Sequence, residues 1–261
     1  MAVIGIAGFQ EFFKDFADSY VVIGGSACSE WFAEDSIAFR ETHDIDMVLI
    51  VEAKSAAFFS RIWEYVRIAG YELLERAEGS GKSLYRFLRP RAPGHPQMIE
   101  LLTGLPGVDI PEWVKIVHLK PGEEGSSISA ILLQSVYYEL ILGHRSLSAS
   151  GLPLVNRDAL LILKAKAYLN LAKDREEGRF VRSSDLKKHR NDVFQLSYVL
   201  TGSFGSELQP PIREDLDAFL DLFAPENPEW GAIQDSLRHV RLPVRTPAEI
   251  LDGVRTYFGL L

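Results

Sequence analysis

Val21-Val22-Ile23 is a short unbroken apolar run that ends at Gly24-Gly25-Ser26, and a second run, Met47-Val48-Leu49-Ile50-Val51, follows the alternating stretch Asp44-Ile45-Asp46. Short apolar runs bounded by turn residues predict buried strands, and residues 26–32 between them predict a helix that starts at the glycine turn. Upstream, Phe9, Phe12, Phe13 and Phe16 recur at helical spacing, which predicts a short helix with an aromatic stripe facing the core. Residues 55–68 predict a second amphipathic helix, and residues 71–74, 83–88 and 97–101 predict further strands separated by turn residues. Pro90, Pro93, Gly94 and Pro96 make the turn before the last of these, which places Glu100 on a strand between Ile99 and Leu101.

The pattern then changes. Residues 116–119, 128–133 and 137–142 read as short β runs broken by Pro106, Gly107, Pro111, Pro121, Gly122 and Gly143. From Asn156 onward the period is helical: Leu160, Leu161, Leu163, Ala167, Tyr168 and Leu171 predict one helix, residues 193–200 another and residues 216–223 a third. The expected fold is α/β (α+β): a small mixed sheet with flanking helices over residues 1–105, a β connector over 106–155, and a helical C-terminal lobe over 156–261 that closes over the site.

Composition narrows the class of partner. The chain has 261 residues, 47% of them hydrophobic, enough for one large core or two modest ones. A formal net charge of −8 and a pI near 5.3 argue against coating nucleic acid through an overall positive field. Cys28 is the only cysteine, so no intramolecular disulfide forms. The N-terminal stretch lacks a basic region followed by an apolar core, and no apolar run reaches the roughly 18 residues that cross a bilayer. A cytoplasmic protein with no membrane partner is the expectation.

Candidate chemistry concentrates at the second strand. Side chains alternate along a strand, so Asp44 and Asp46 share one face while Ile45 and Met47 share the other. Like charges flanked by apolar residues are costly without a cation, and hard divalent ions take oxygen ligands. The Gly24-Gly25-Ser26 turn places the N-terminus of a helix nearby, where unpaired N–H groups attract anions. Glu100 supplies a third carboxylate.

The order Gly-Gly or Gly-Ser, helix, Asp-x-Asp, later acid resembles the nucleotidyltransferase superfamily built on a DNA-polymerase-beta-like minimal domain. The match here is Gly25-Ser26, Asp44 with Asp46, and Glu100. Arg40-Glu41-Thr42-His43-Asp44-Ile45-Asp46 looks like the Arg-x-Thr-x-Asp-x-Asp signature of the AbiEii-like toxin branch. Lys164, and Lys188-His189-Arg190-Asn191-Asp192, are similar to the Lys and the Lys-x-x-x-Asp step of that branch's second lobe; His189 stands where an Asp usually follows the second Lys. The resemblance covers about residues 21–196 and implies transfer of a nucleoside monophosphate from a nucleoside triphosphate (NTP) to an acceptor hydroxyl. It implies Mg2+ or Mn2+ held by Asp44, Asp46 and Glu100, with Glu100 also taking the hydroxyl proton. Gly24, Gly25, Ser26, Arg40, Thr42, Lys164 and Lys188 would contact the nucleotide, the two lysines as point charges on the triphosphate. The acceptor it implies is an RNA end such as tRNA, in a toxin-like role with a cognate antitoxin. An antibiotic- or metabolite-modifying nucleotidyltransferase and a non-catalytic nucleotide-binding protein of the same fold are the competing readings.

Other features have plainer readings. A solvated helix face is the ordinary setting for a lone lysine, and a surface helix for the basic stretch Arg179, Arg182, Lys187, Lys188, His189 and Arg190; facing a cleft, that stretch would grip a phosphate-rich acceptor. Asp192 is expected to pair with Lys188 four residues before it. Gly79-Ser80-Gly81-Lys82-Ser83 ends like a phosphate-binding loop, but Arg76 stands where the first glycine should be and a strand follows, so a hairpin turn is expected. Cys28 reads as a small packed residue.

Overall fold

The computed structural model describes residues 3–50, 56–78, 82–103 and 135–261. Within them the elements run α1 (Ile6–Phe13), a 3-10 turn (Lys14–Phe16), β1 (Tyr20–Ile23), α2 (Gly24–Glu34), β2 (Asp44–Leu49), α3 (Ala56–Ala69), β3 (Glu72–Glu78), β4 (Lys82–Leu88) and β5 (Met98–Thr103). They continue with α4 (Ser135–Gly143), β6 (Arg145–Leu147), β7 (Pro153–Val155), α5 (Arg157–Glu176), α6 (Ser183–Leu196), α7 (Pro210–Leu222), α8 (Trp230–His239) and α9 (Pro247–Phe258). The result is a mixed α/β fold whose described residues cluster into two compact units.

The first unit is built on a seven-stranded sheet in the order β3-β4-β5-β2-β1-β7-β6. β2 runs parallel to β5 and antiparallel to β1, and β7 returns parallel to β1. Every residue of β1 is buried, as expected for a central strand with both faces covered. Helix α1 holds to this strand through the predicted aromatic stripe: Phe9 meets Tyr20 and Tyr65 edge-on, and Phe58 of α3 stacks on Tyr20. Such pairs add directional preference to the area they bury. On α2, Cys28 and Phe32 are fully buried, and the Trp31 indole donates to the Val155 carbonyl of β7 at 2.8 Å.

The second unit comprises α4 to α9. Phe194 of α6 sits among Phe219 of α7, Phe223 just past the end of α7 and Trp230 of α8, with Tyr168 of α5 against the same phenylalanines. Two stripes past the last predicted helix, Trp230, Ile233, Leu237 and Ile250, Leu251, Val254, Phe258, define α8 and α9. α9 opens with a capping box in which Thr246 and Glu249 satisfy each other's backbone N–H groups.

Three expectations change. Residues 137–142, read as a β run, form most of α4, because Tyr137, Leu140 and Ile141 are buried at i, i+3, i+4 spacing in an otherwise nearly continuous apolar string. The two preceding β runs, 116–119 and 128–133, lie outside the described residues. Helix α6 begins at Ser183, ten positions before the predicted start, because Arg190 takes a buried place on its inner stripe with Leu186, Val193 and Phe194. The expected connector is also divided: β6 and β7 complete the first unit's sheet, whereas α4 belongs to the helical unit.

Candidate active site

Strand register sets the row on which the candidate residues stand. Asp46 is opposite Ile23 of β1 on one side and Glu100 of β5 on the other, and Glu100 is in turn opposite Arg86 of β4. Residues in register point to the same side of a sheet, so Asp46, Glu100 and Arg86 project from one face, joined by Asp44 two positions along β2. Ile45 and Met47 are buried on the other face, while Asp44 and Asp46 are half-buried. The structure therefore brings together the three acids that the sequence singled out.

The glycine turn is not a loop ahead of a helix; Gly24 and Gly25 are themselves the first residues of α2. Gly24 has φ of +72°, and a Cβ there would land on the Asp46 carboxylate, whose Cγ would be 3.0 Å away. At Gly25 a Cβ would fall 2.9 Å from Thr42 Oγ1 and 3.2 Å from Arg40 Nη2. Ser26 is fully buried, and its hydroxyl donates to the Asp44 carbonyl. The helix start, the Arg40–Thr42 segment and β2 thus close on one another, with the first N–H groups of α2 beside the aspartates. That combination places a local positive potential from the helix N-terminus next to hard oxygen ligands.

Glu100 is held differently. Its Oε1 lies 2.5 Å from Arg86 Nε, and both side chains are about 90% buried, with exposures of 8% and 10%. Burial pushes the Glu100 carboxyl above the ordinary glutamate range; Arg86 pulls it down, and the charge of Asp44 pushes it further up. Asp44 and Asp46 are a donor set that fits a divalent cation. Among the described residues, however, no group of three His, Cys, Asp or Glu side chains is arranged to hold a metal ion.

Arg86 escaped the sequence reading, although a signal was present. An arginine within Tyr85-Arg86-Phe87 is a charge among residues that strands bury, and a buried charge requires a partner.

No protein-family model matches the chain, and no curated protein matches it. The solved structures similar to it include two at low identity. The antibiotic-resistance factor ANT(2'')-Ia, whose solution structure reveals substrate-regulated conformation dynamics, is 12% identical with a TM-score of 0.36, over 90% of this chain and 97% of that one. A cytoplasmic RNA terminal U-transferase is 11% identical with a TM-score of 0.28, over 96% of this chain. This chain spans 62% of that protein's length. Likenesses this weak carry no inference about chemistry, and the candidate site stands on its own residues.

Lys164 and Lys188 lie in the helical unit. Lys164 is not on a solvated face: it is 2% exposed, and its Nζ is 2.9 Å from Asp192 Oδ2. Asp192 therefore reaches across to α5 instead of pairing with Lys188, because it is fully buried and a buried carboxylate takes the buried cation. Lys188 is half exposed, with Asp185 at 3.9 Å. Two members of the basic stretch also have acidic partners. Arg190 is buried against Glu229 and Asn191, and Arg179 pairs with Asp174 and Glu177. Strands β3 and β4, on either side of the loop-like glycine sequence, pair antiparallel with Glu78 opposite Lys82; residues 79–81 lie outside the described residues.

Proposed function

We propose that this chain is a nucleotidyltransferase of the DNA-polymerase-beta-like superfamily, AbiEii-like, moving a nucleoside monophosphate from an NTP to an acceptor hydroxyl. The observation that carries the reading is the closure of the Gly24-Gly25-Ser26 helix start onto the Asp44–Asp46 strand. Paired carboxylates beside the N-terminus of a helix suit a metal-bound triphosphate.

Asp44 and Asp46 would hold the divalent ion, Mg2+ or Mn2+. When bound, such an ion stabilises the attacking and leaving oxygens of the displacement and offsets triphosphate charge. In the reaction the acceptor hydroxyl oxygen forms a bond to the α-phosphorus and its proton passes to water, while the α–β phosphoanhydride bond breaks and pyrophosphate leaves with the electron pair. Backbone N–H groups of Gly24, Gly25 and Ser26 would orient the phosphates from the helix start, and Arg40 and Thr42 would support them across Gly25. Glu100, the third acid of the resemblance, stands in the same row but paired to Arg86. Lys164 and Lys188 belong to the helical unit, where Lys164 is already paired with Asp192.

The AbiEii-like resemblance extends this reading to a toxin component that modifies an RNA end such as tRNA and is held in check by an antitoxin. A second reading, a small-molecule acceptor such as an antibiotic or metabolite, gains from the internal compensation of Arg179 and Arg190, which removes charge from the strip best suited to grip RNA. The test is pyrophosphate release from each NTP with Mg2+, with either RNA or small cationic acceptors present. Asp46→Asn should retain its fold, since it removes one of two like charges, while release falls by at least about a thousandfold, the loss expected when a principal electrostatic contributor is removed. Full activity in that variant would remove Asp46 from the site.

A further inference from the structure

We propose that the helical unit binds a small aliphatic amine, in the cavity between the C-terminal end of α4 and the segment that leads into α7. This site is independent of the reading of the Asp44–Asp46 face.

The cavity has a volume of about 150 Å3. That is room for a few waters or one small organic molecule, and well below the roughly 300–1,000 Å3 of sites that take drug-sized ligands. Its apolar lining comes from Leu140, Leu208 and Ile212, all buried. Its charged lining is of one sign: Glu139 and Glu207 are present, and the described lining residues include no lysine or arginine. Gly143, the last residue of α4, lines it as well, so the negative end of that helix's dipole adds to the two carboxylates. An aromatic pair completes the wall. His144 and Phe204 stack with 4.7 Å between ring centroids and 2° between ring planes. Both rings are held in place: Asp158 Oδ2 is 3.3 Å from His144 Nδ1, and the Phe204 backbone N–H donates to the Tyr257 carbonyl at 2.8 Å.

These features select one chemistry. A short alkyl chain matches the apolar lining, and an ammonium group answers the carboxylates, the helix end and the aromatic faces, which attract cations. Gln209 Nε2 already donates to Glu139 Oε2 at 3.2 Å, but an ionised carboxylate accepts about four hydrogen bonds, which leaves sites for the amine. An anion would meet like charge from the glutamates and the helix end, and a nucleotide exceeds the volume. A bare metal ion does not fit, because no group of three His, Cys, Asp or Glu among the described residues is arranged to hold one.

The experiment is a saturation-transfer NMR titration of the full chain with putrescine, a short aliphatic diamine, against the butanediol of the same length. It is run at about pH 8, where aliphatic amines are protonated and carboxylates ionised. Wild type is compared with Glu139→Gln/Glu207→Gln, Glu207→Gln, Phe204→Leu and Asp44→Asn/Asp46→Asn. Glu139 and Glu207 are exposed, so their variants should keep the fold, which thermal midpoints check; Glu207→Gln alone serves if the double variant does not. The expected result is saturable putrescine binding by wild type, at least about tenfold tighter than the diol and about tenfold weaker in the double glutamine variant. Glu207→Gln and Phe204→Leu should each weaken it by at least about threefold, and Asp44→Asn/Asp46→Asn should leave it within about twofold. No saturable binding by wild type, equal binding of the diol, or folded glutamine variants that bind as wild type does would overturn the proposal. A loss in Asp44→Asn/Asp46→Asn would overturn it too, by placing the amine at the candidate active site.

Discussion

Gly24 sits at φ of +72° with no room for a side chain on the face toward Asp46. A Cβ there meets two penalties at once: left-handed backbone costs an L-residue about 1–2 kcal/mol, and the Asp46 carboxylate must swing away. Gly24→Ala should therefore lower stability by about that amount and weaken Mn2+ and nucleotide binding on the order of 10- to 100-fold, the usual effect of disturbing the support of a metal ligand. Titration of Mn2+ against the variant, alongside its urea midpoint, checks both. Unchanged Mn2+ affinity would mean that Asp46 does not work from the position seen here. Asp44 and Asp46 were legible in the sequence as a pair because alternation along one strand puts them on one face, whereas the place of Glu100 beside them depends on the register between β2 and β5. The Arg86 partner was not, because cross-strand register between β4 and β5 cannot be read from either strand by itself.

At the scale of elements, the α5–α6 pair depends on one buried charge pair. Lys164 and Asp192 are 3% and 1% exposed at the side chain, with 2.9 Å between Nζ and Oδ2. Lys164→Ala removes the buried cation that Asp192 faces, and should cost about 3–5 kcal/mol in denaturant unfolding. Lys164→Met/Asp192→Leu should recover most of that loss, since an apolar pair fills the volume without a desolvation penalty. A single variant as stable as wild type would remove the pair from the core. The same elements show why part of the fold was legible. β1, β2, β4 and β5 announced themselves as apolar runs closed by turn residues, and α3 and α5 as sustained stripes. α4 did not, because Val136-Tyr137-Tyr138-Glu139-Leu140-Ile141 serves a strand or a helix equally well until tertiary contacts choose. The start of α6 was hidden because buried positions on its inner face are held by Arg190 and Asp192, charges that periodicity counts as surface.

For the whole molecule, the described residues form two compact units, one carrying the Asp44–Asp46 face and the other Lys164 and Lys188. None of the described helices is long and apolar enough to cross a membrane. With a formal net charge of −8, a polyanionic triphosphate approaches against the overall field, so local features must attract it. Under the proposed function the α2 N-terminus, Arg40 and a bound cation would be those features, which would make metal and nucleotide binding mutually dependent. The most direct measurement is thermal unfolding of wild type and Asp44→Asn/Asp46→Asn with each NTP, with and without Mg2+. A ligand bound only by the folded state stabilises by about 2.7 kcal/mol at a hundred times its Kd, a rise of several degrees for a chain this size. The account predicts a rise in midpoint for wild type only when NTP and Mg2+ are present together, and no such rise for the double variant. An equal rise in the double variant, or no rise in wild type with any triphosphate, would contradict it.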